Sequence, residues 1–402
     1  MEKIDNNIFI SDVEVPEIVQ KKADEAFAKI RMEGKGVMRK KRYSFISPVA
    51  AAICVFVLAA GSMTVAAAVY HYWSRGMQGN IQATPEQQSE LIDNGITTIF
   101  NEDMEDKLMA VTSGNVTIKP LEIISDEHFV HLSFSVEGYT IGEQIEPGFE
   151  YISVYTGNDK NDENGWVDMS GSFYNGIVTG SDGKPVYDNG EPLEHTEDGA
   201  TIEHFKGQDG TLEYVMMVYA ADINDSLLGK TVHVEFENLG TVYKAEYENT
   251  VDGEWAFDIA IPENSTAKLC KLDKTLGDSG ATVRTVEFSP ISIKVDYDFE
   301  GSSYEEEGVG ADGKPITSTF YTEPPEFVGV RFKDGTLFPY ITNGGMTGYT
   351  DESHKEYYSL MAFDRVIEMD QVDALLFQKL SPNGGGAFME DDYYIVEFNV
   401  DS

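Results

Sequence analysis

The stretch Phe45–Tyr70 constrains this chain more than any other, because its 26 residues contain no charged side chain. As an α-helix it would be roughly 39 Å long, whereas the hydrocarbon core of a bilayer is about 30 Å thick. Ser47 can cap the start of such a helix, and Pro48 suits its first position. A buried helix of a soluble protein rarely extends this far without a polar face. The stretch therefore predicts a transmembrane helix over residues 45–70.

The charges that flank this helix predict its orientation. Six Lys and Arg lie within residues 31–42, whereas Arg75 is the only one in residues 71–106. Positive charge marks the cytoplasmic side, so residues 1–44 are predicted to be cytosolic and the chain after the helix extracytoplasmic. The alternative is a signal peptide cleaved near Ala66-Ala67-Ala68, but the segment before the apolar stretch is far longer than an ordinary n-region. We favour an uncleaved anchor in the cell membrane.

The charge balance differs on the two sides of the predicted helix. Residues 1–44 hold ten Lys and Arg against eight Asp and Glu, and the remaining chain holds 19 against 62. So acidic a segment excludes binding of nucleic acid or anionic lipid through its overall field. Cys54 lies inside the predicted helix and Cys270 far beyond it, so the outer domains must be stabilised by core burial without disulfides. We predict that Cys270 is buried and inert, with an intermolecular link as the alternative.

An amphipathic pattern in the cytosolic segment predicts a binding site for a partner. Residues Pro16–Arg31 have helical periodicity. The apolar stripe of this helix consists of Val19, Ala23, Ala26, Phe27 and Ile30. A helix this short is marginal alone, so its stripe is predicted to bind a partner. The alternatives are a helix that pairs with a second copy of the chain and a helix that lies on the inner leaflet of the membrane.

Beyond the membrane, a short helix is predicted over Pro85–Asp93, and the hydrophobic period then changes to two, which indicates β-strands. The predicted strands are Asn115–Ser125, His128–Val136, Phe149–Thr156, Trp166–Tyr174, Leu212–Ala220, Thr231–Glu237, Thr241–Glu248, Glu254–Ile261, Ala281–Phe299 with a break at Ser289-Pro290, Phe327–Phe332, Thr336–Ile341, Tyr358–Val366, Gln371–Gln378 and Tyr393–Val400. His128, His131 and His233 are predicted to face solvent from these strands.

The predicted fold is mostly β, with one transmembrane helix, a short cytosolic helix and two tandem extracytoplasmic domains that resemble β-sandwiches. We expect the first outer domain at residues 71–262 and the second at residues 263–402. A weak repeat supports the duplication, because Val116–Gly138 and Thr282–Gly301 contain similar strands. Aligning Glu122 with Glu287 in this repeat requires a gap of two residues.

No motif predicts catalysis. Gly277–Gly280 resembles the nucleophile segment of chymotrypsin-like proteases, but it lacks the following Gly-Pro and an upstream His in a matching context, so a turn is predicted. Asp159–Gly165 has the composition of a calcium loop, yet Lys160 occupies the position of the first carboxylate. A solvated acidic turn is favoured there, with calcium as the alternative, and Glu305–Glu307 is predicted to be an exposed acidic loop. We predict no enzyme, no catalytic or metal-binding residue and no cofactor.

Several segments together resemble a known family. They are the helix at Pro16–Ile30, the basic run at residues 39–42, the Ala-rich apolar stretch, Asn115–Ile118, Ile123–Asp126, Gly253–Phe257 and Glu287–Ile291. They resemble single-pass membrane proteins of Gram-positive bacteria that carry a domain of unknown function and are commonly encoded beside extracytoplasmic-function sigma factors. Members are described as anti-sigma factors. The zinc-binding type of anti-sigma factor is excluded, because residues 1–44 contain neither His nor Cys.

The resemblance implies a membrane-anchored regulator. In this hypothesis the outer domains sense an envelope state or bind an unknown ligand, and the stripe around Phe27 binds a cytosolic sigma factor without direct contact to nucleic acid. The alternative is a cell-surface binding or structural module with no regulatory cytosolic partner.

Overall fold

The computed structural model describes residues 97–99, 110–142, 145–157, 165–179, 185–187, 189–205, 211–243, 246–265, 267–309, 314–379 and 392–398. The predicted cytosolic helix, the predicted transmembrane helix and the predicted helix at Pro85–Asp93 lie outside these ranges, as does the Asp159–Gly165 loop apart from Gly165. Within the ranges, no helix is both long and apolar enough to cross a membrane. The described residues are mostly β, as predicted.

The described part of the chain forms antiparallel strands β1–β22. The first half contains β1 (Thr97–Ile99), β2 (Val111–Ser113), β3 (Val116–Ser125), β4 (Phe129–Glu137), β5 (Glu146–Thr156), β6 (Val167–Phe173), β7 (Ile177–Thr179), β8 (Pro185–Tyr187), β9 (Leu212–Ala220), β10 (Thr231–Tyr243) and β11 (Glu246–Ala260). The second half contains β12 (Lys268–Thr275), β13 (Thr282–Phe288), β14 (Ser292–Asp298), β15 (Ser303–Val309), β16 (Pro315–Tyr321), β17 (Phe327–Phe332), β18 (Leu337–Pro339), β19 (Thr342–Tyr349), β20 (Glu356–Phe363), a 3₁₀ turn (Met369–Gln371), β21 (Val372–Gln378) and β22 (Tyr393–Glu397).

Two sheets form a first β-sandwich. One sheet has the order β1-β3-β4-β9-β6, with β2 beside β3, and the other has the order β11-β10-β5. Alternating apolar residues of both sheets form one core, which includes Phe134, Phe236 and Trp255. The indole N–H of Trp255 donates a hydrogen bond to the carbonyl oxygen of Val116 at 3.1 Å, so it also links the two sheets.

A second sandwich follows along the chain. Its sheets have the orders β12-β13-β14-β20-β19 and β18-β17-β21-β22. Phe288, Tyr297 and Phe377 are fully buried members of its core. Cys270 also belongs to this core and is buried, as predicted. Strands β15 and β16 pair only with each other in the described part of the chain and form a separate ribbon.

The two sandwiches share one topology. In the first sandwich β1 and β2 lie on the same edge of β3, where β12 alone lies beside β13 in the second. Strands β3, β4, β5, β6, β9, β10 and β11 then correspond in order and pairing to β13, β14, β17, β19, β20, β21 and β22. The copies differ in what is inserted. Residues 138–145 connect β4 to β5, whereas residues 299–326, including the ribbon, connect β14 to β17.

Local turns confirm some predictions and correct others. The hairpin β17–β18 turns at Gly335 as predicted, with φ of +89°, and Gly277–Gly280 forms the predicted turn between β12 and β13. The predicted strand Thr241–Glu248 is wrong, because its two ends belong to β10 and β11, which pair antiparallel with Tyr243 opposite Glu246. Strand β10 reaches Tyr243 through an irregularity beside Asn238 (φ +48°). The sequence Asn-Leu-Gly, which we interpreted as a strand break, is a bulge. The acidic run at Glu305–Glu307 lies in β15, not in a loop.

Candidate functional site: a polar seam between two sandwiches

The turn between β3 and β4 is built on the side chain of Asp126. Its backbone N–H donates to the carbonyl oxygen of Phe129 at 3.0 Å. Its Oδ1 accepts hydrogen bonds from the backbone N–H groups of His128 and Phe129 at 2.9 and 2.8 Å. Asp favours such turns because its short side chain can bond the backbone two and three residues further on.

The equivalent turn between β13 and β14 is built on Ser289. Its N–H donates to the carbonyl oxygen of Ser292 at 3.0 Å, and its Oγ accepts from the N–H groups of Ile291 and Ser292 at 3.1 and 2.9 Å. The two turns are therefore equivalent residue by residue. This corrects the predicted alignment of the repeat, because Asp126 corresponds to Ser289 and hence Ile124, not Glu122, corresponds to Glu287.

The two turns face each other and form the centre of a polar seam, which we define as Asp126, His128, Glu287, Ser289 and Ser292. The hydroxyls of Ser289 and Ser292 each donate a hydrogen bond of 2.5 Å to Oδ2 of Asp126. Asp126 is buried, so both of its oxygens exchange water for protein donors. A buried carboxylate is tolerated only when it is hydrogen-bonded in this way.

A second polar contact of the seam joins a histidine and a glutamate. Nε2 of His128 lies 3.2 Å from Oε1 of Glu287, and both side chains are largely buried. Contact with His128 lowers the pKa of Glu287 below its ordinary value, against the opposing effect of burial. The ionised form of Glu287 is therefore favoured where the two sandwiches meet.

An apolar cluster completes the contact between the sandwiches. It contains Phe129 and Met217 of the first sandwich and Leu360 and Ala362 of the second. Met217 and Leu360 are equivalent residues, since β4–β9 and β14–β20 pair in the same register. Equivalent residues thus meet at the seam, as they do at the two-fold axis of a homodimer.

Next to the seam, the outer face of the first sandwich buries a polar patch, which we define as Glu122, His131, Ser133, Ser135 and Glu213. Ser133 lies opposite Glu122, and Ser135 lies opposite Glu213. All five side chains are buried. Burial raises the pKa of Glu122 well above its ordinary value, and the charge of Glu213 raises it further. In the described part of the chain neither carboxyl oxygen of Glu122 has a hydrogen-bond partner.

This patch corrects the prediction that His128 and His131 face solvent. Both are buried, whereas the side chain of His233 is about a fifth exposed and lies 2.6 Å from Asp258. On β4 the patch has the alternation of a strand with one solvated face. Two of its three polar positions on that strand, Ser133 and Ser135, are small serines, where a solvated strand favours charged residues. That choice of small polar residues was the available signal.

The structure places none of the predicted partner-binding residues, because Val19, Ala23, Ala26, Phe27 and Ile30 lie outside the described ranges. Sequence reasoning, in turn, did not nominate the seam, which is formed by turns far apart along the chain. In the part of the chain that the structure describes, no cluster of His, Cys, Asp and Glu could hold a metal ion.

The fold and seam define a tandem β-sandwich protein whose copies meet through their equivalent turns. No family model matches the chain, and no curated protein is significantly similar to it. One similar solved structure is the conserved domain protein from Bacillus anthracis, with 12% sequence identity, a TM-score of 0.39, and coverage of 75% of this chain and 86% of that chain. A likeness this distant supports no statement about function.

Proposed function

We propose that the protein is a membrane-anchored regulator. Its tandem sandwich responds to an extracytoplasmic state or ligand, and its N-terminal helix binds a cytosolic partner, a sigma factor by the resemblance of the sequence. The topology that this requires is supported by the apolar stretch at residues 45–70 and the basic residues before it. The location is the cell membrane, with the N-terminus in the cytoplasm.

The polar seam is the observation that supports the proposed sensing role. Two folded units are joined there by buried hydrogen bonds, one histidine–carboxylate pair and a small apolar cluster. Buried polar contacts specify one arrangement while contributing little net stability, so a ligand that favours another arrangement has little to overcome. The seam is therefore the element through which an outer event changes the relation of the two sandwiches.

The cytosolic role is tested with Phe27→Asp. Phe27 is the largest side chain of the predicted stripe, and a carboxylate there would lose apolar burial and add a desolvation cost. Partner affinity should fall by about two orders of magnitude or more. Binding of residues 1–44 to the sigma factor is measured by pull-down, and target transcription is compared with that in a deletion strain.

Lys22→Asp is the matched control, because it places a carboxylate on the polar face of the same predicted helix. It should leave partner binding and transcription unchanged. If Phe27→Asp is silent in a strain where deletion of the whole gene alters transcription, the helix is not the partner site.

The second candidate function is a surface binding module, and exposed aromatic residues on β5 and just before β6 favour it. Trp166 is 63% exposed and Tyr151 is 55% exposed. Trp166 forms a bridge to Tyr155, which stacks on His233 with ring centroids 4.8 Å apart. Exposed aromatic side chains of this kind are enriched at binding surfaces. A binding module would leave transcription unchanged when the entire gene is deleted.

A further inference from the structure

The ribbon of β15 and β16 pairs with no other strand among the residues that the structure describes. In the described part of the chain each strand is hydrogen-bonded only to the other, and every residue of β15 is exposed. A two-stranded ribbon is marginally stable by itself, and an unpaired strand edge is a template for another strand. The ribbon therefore has the geometry of an acceptor for a third strand.

The base of the ribbon is held in place. The N–H of Ser302 donates to Oγ1 of Thr322 at 2.9 Å, and the N–H of Thr322 donates to the carbonyl oxygen of Ser302 at 3.0 Å. The ring of Tyr321 stacks on that of His354 with centroids 3.6 Å apart. Because the ribbon is already ordered at its base, it loses less conformational entropy when a partner strand binds.

The two faces of the ribbon differ in chemistry. One face carries Tyr304, Phe320 and Ile316, each between 43% and 46% exposed, together with Glu306. The rings of Tyr304 and Phe320 stack with centroids 5.7 Å apart. Glu305 and Glu307 point to the other face, because successive side chains of a strand alternate. A strand that pairs with β15 would therefore meet Tyr304 and Glu306 on one face and two carboxylates, those of Glu305 and Glu307, on the other.

The ribbon is an addition to the shared fold. The first sandwich has only residues 138–145 at the equivalent connection and folds into the same topology without such a ribbon. A 28-residue connection that the other copy does without is not needed for the core. This favours a role in binding.

We propose that this ribbon is the docking site for an extended segment of another protein, in which basic residues recur at every second position. Beside β15, the Lys or Arg side chains of the segment would lie next to Glu305 and Glu307, and the side chains between them would lie next to Tyr304 and Glu306. Pairing of β15 with the β15 strand of a second copy is disfavoured, because antiparallel pairing of the two strands would oppose glutamates. This inference goes beyond the proposed function, since it concerns the outer surface and holds whether or not a sigma factor is bound.

The test uses the full chain in detergent micelles and a fluorescein-labelled peptide with the sequence (Lys-Val)₄. Fluorescence anisotropy should show saturable binding of this peptide and none of (Glu-Val)₄. The double variant E305K/E307K should weaken binding by about tenfold or more, because two attractive cross-strand pairs become repulsive. The control E246K/E248K makes the same charge change on exposed residues of β11 and should leave the affinity within twofold.

Two further peptides separate strand pairing from simple charge attraction. They carry backbone N-methyl groups on all lysines or on all valines, and pairing with one strand edge uses only alternate N–H groups. One methylated peptide should lose binding and the other should retain it. Three outcomes would each overturn the proposal: the two methylated peptides bind equally, E246K/E248K weakens binding as much as E305K/E307K does, or (Lys-Val)₄ does not bind. Self-association of the chain that Phe320→Ser abolishes would assign the ribbon to a second copy instead, and would also overturn it.

Discussion

The outer faces of the two sheets that meet at the seam differ at equivalent positions. In the first sandwich, His131 and Ser133 of β4 are buried. In the second, the equivalent residues of β14 are Lys294 and Asp296, which are half-buried, and Asp296 accepts a hydrogen bond from Thr285 at 2.6 Å. One topology therefore supports a dry polar face in one copy and a partly solvated, charged face in the other. The surroundings of each face, and not the strand order, therefore determine whether its polar side chains are buried or partly solvated.

Two glutamates at non-equivalent positions of the two sandwiches also differ in pKa. Burial beside Glu213 raises the pKa of Glu122 in the first sandwich, whereas contact with His128 lowers the pKa of Glu287 in the second. Proton binding at these two carboxyl groups therefore has opposite consequences for stability.

The largest expected effect comes from Trp255→Ala in the core of the first sandwich. The variant removes a fully buried indole and its hydrogen bond to Val116, at a cost of about 3–5 kcal/mol. Differential scanning calorimetry should then show the first sandwich melting before the second. Trp255→Phe is the control, and it should reduce the stability of the first sandwich much less than Trp255→Ala does. A single transition, shifted as a whole, would show that the two copies unfold as one unit.

A smaller effect is expected from Asp126→Ala at the seam. The variant removes an acceptor of four hydrogen bonds, two of them from the second sandwich, and should cost about 2–4 kcal/mol. Ser292→Ala removes one of the donors and should cost about 1 kcal/mol. Urea unfolding measures both. Equal losses for the two variants would contradict a central role for the carboxylate.

The contrast between the glutamates is tested with Glu122→Gln and Glu287→Gln. The contribution of Glu122 to stability is present below its ordinary pKa of 4.5 and is lost as pH rises through its raised folded pKa. The stability of the Glu122→Gln variant relative to the wild type should therefore increase as pH rises. The contribution of Glu287 is present above 4.5 and is lost as pH falls through its lowered pKa.

Glu287→Gln should accordingly be less stable than the wild type at neutral pH and approach it in acid. Melting temperatures of the three proteins between pH 3 and 8 provide the measurement. Parallel curves for all three would show that neither carboxyl group is linked to folding.

The smallest effect is expected in the ribbon. Tyr304→Ser together with Phe320→Ser changes two exposed side chains outside both cores and should alter stability by less than about 1 kcal/mol. Thermal melting of the variant measures this. A loss comparable to that of Trp255→Ala would make the ribbon part of the second core.

Much of the strand pattern could be predicted from the sequence. Leu212–Ala220 matches β9 in full, and the break at Ser289-Pro290 falls between β13 and β14. The alternation of apolar and polar residues depends only on residues that are close in sequence, so it can be recognised without tertiary information. Strands β15 and β16 were missed because they bury no face, and a strand that packs on nothing lacks the apolar alternation by which strands are recognised. The weak pattern of β12, which we also missed, has the same cause, since most of its residues are exposed.

The seam could not be predicted in the same way. Asp126 reads as an ordinary turn residue, and nothing near it along the chain indicates that two serines more than 160 residues away donate to its carboxylate. The buried polar patch was misjudged because the other face of a sheet is assigned to solvent unless something is known to cover it. Both errors concern contacts between distant elements.

The pairing of Asp126 with Ser289 makes the contact surfaces of the two sandwiches complementary, with an acceptor on the first and donors on the second. If two first sandwiches met through the same turn, two buried carboxylates would oppose each other without a donor between them. If two second sandwiches met, hydroxyls would face hydroxyls with no charge to order them. Only a first sandwich against a second supplies acceptor and donors together. Neighbouring molecules at high local concentration are therefore not expected to pair through identical sandwiches, and the contact is favoured between the two sandwiches of one chain.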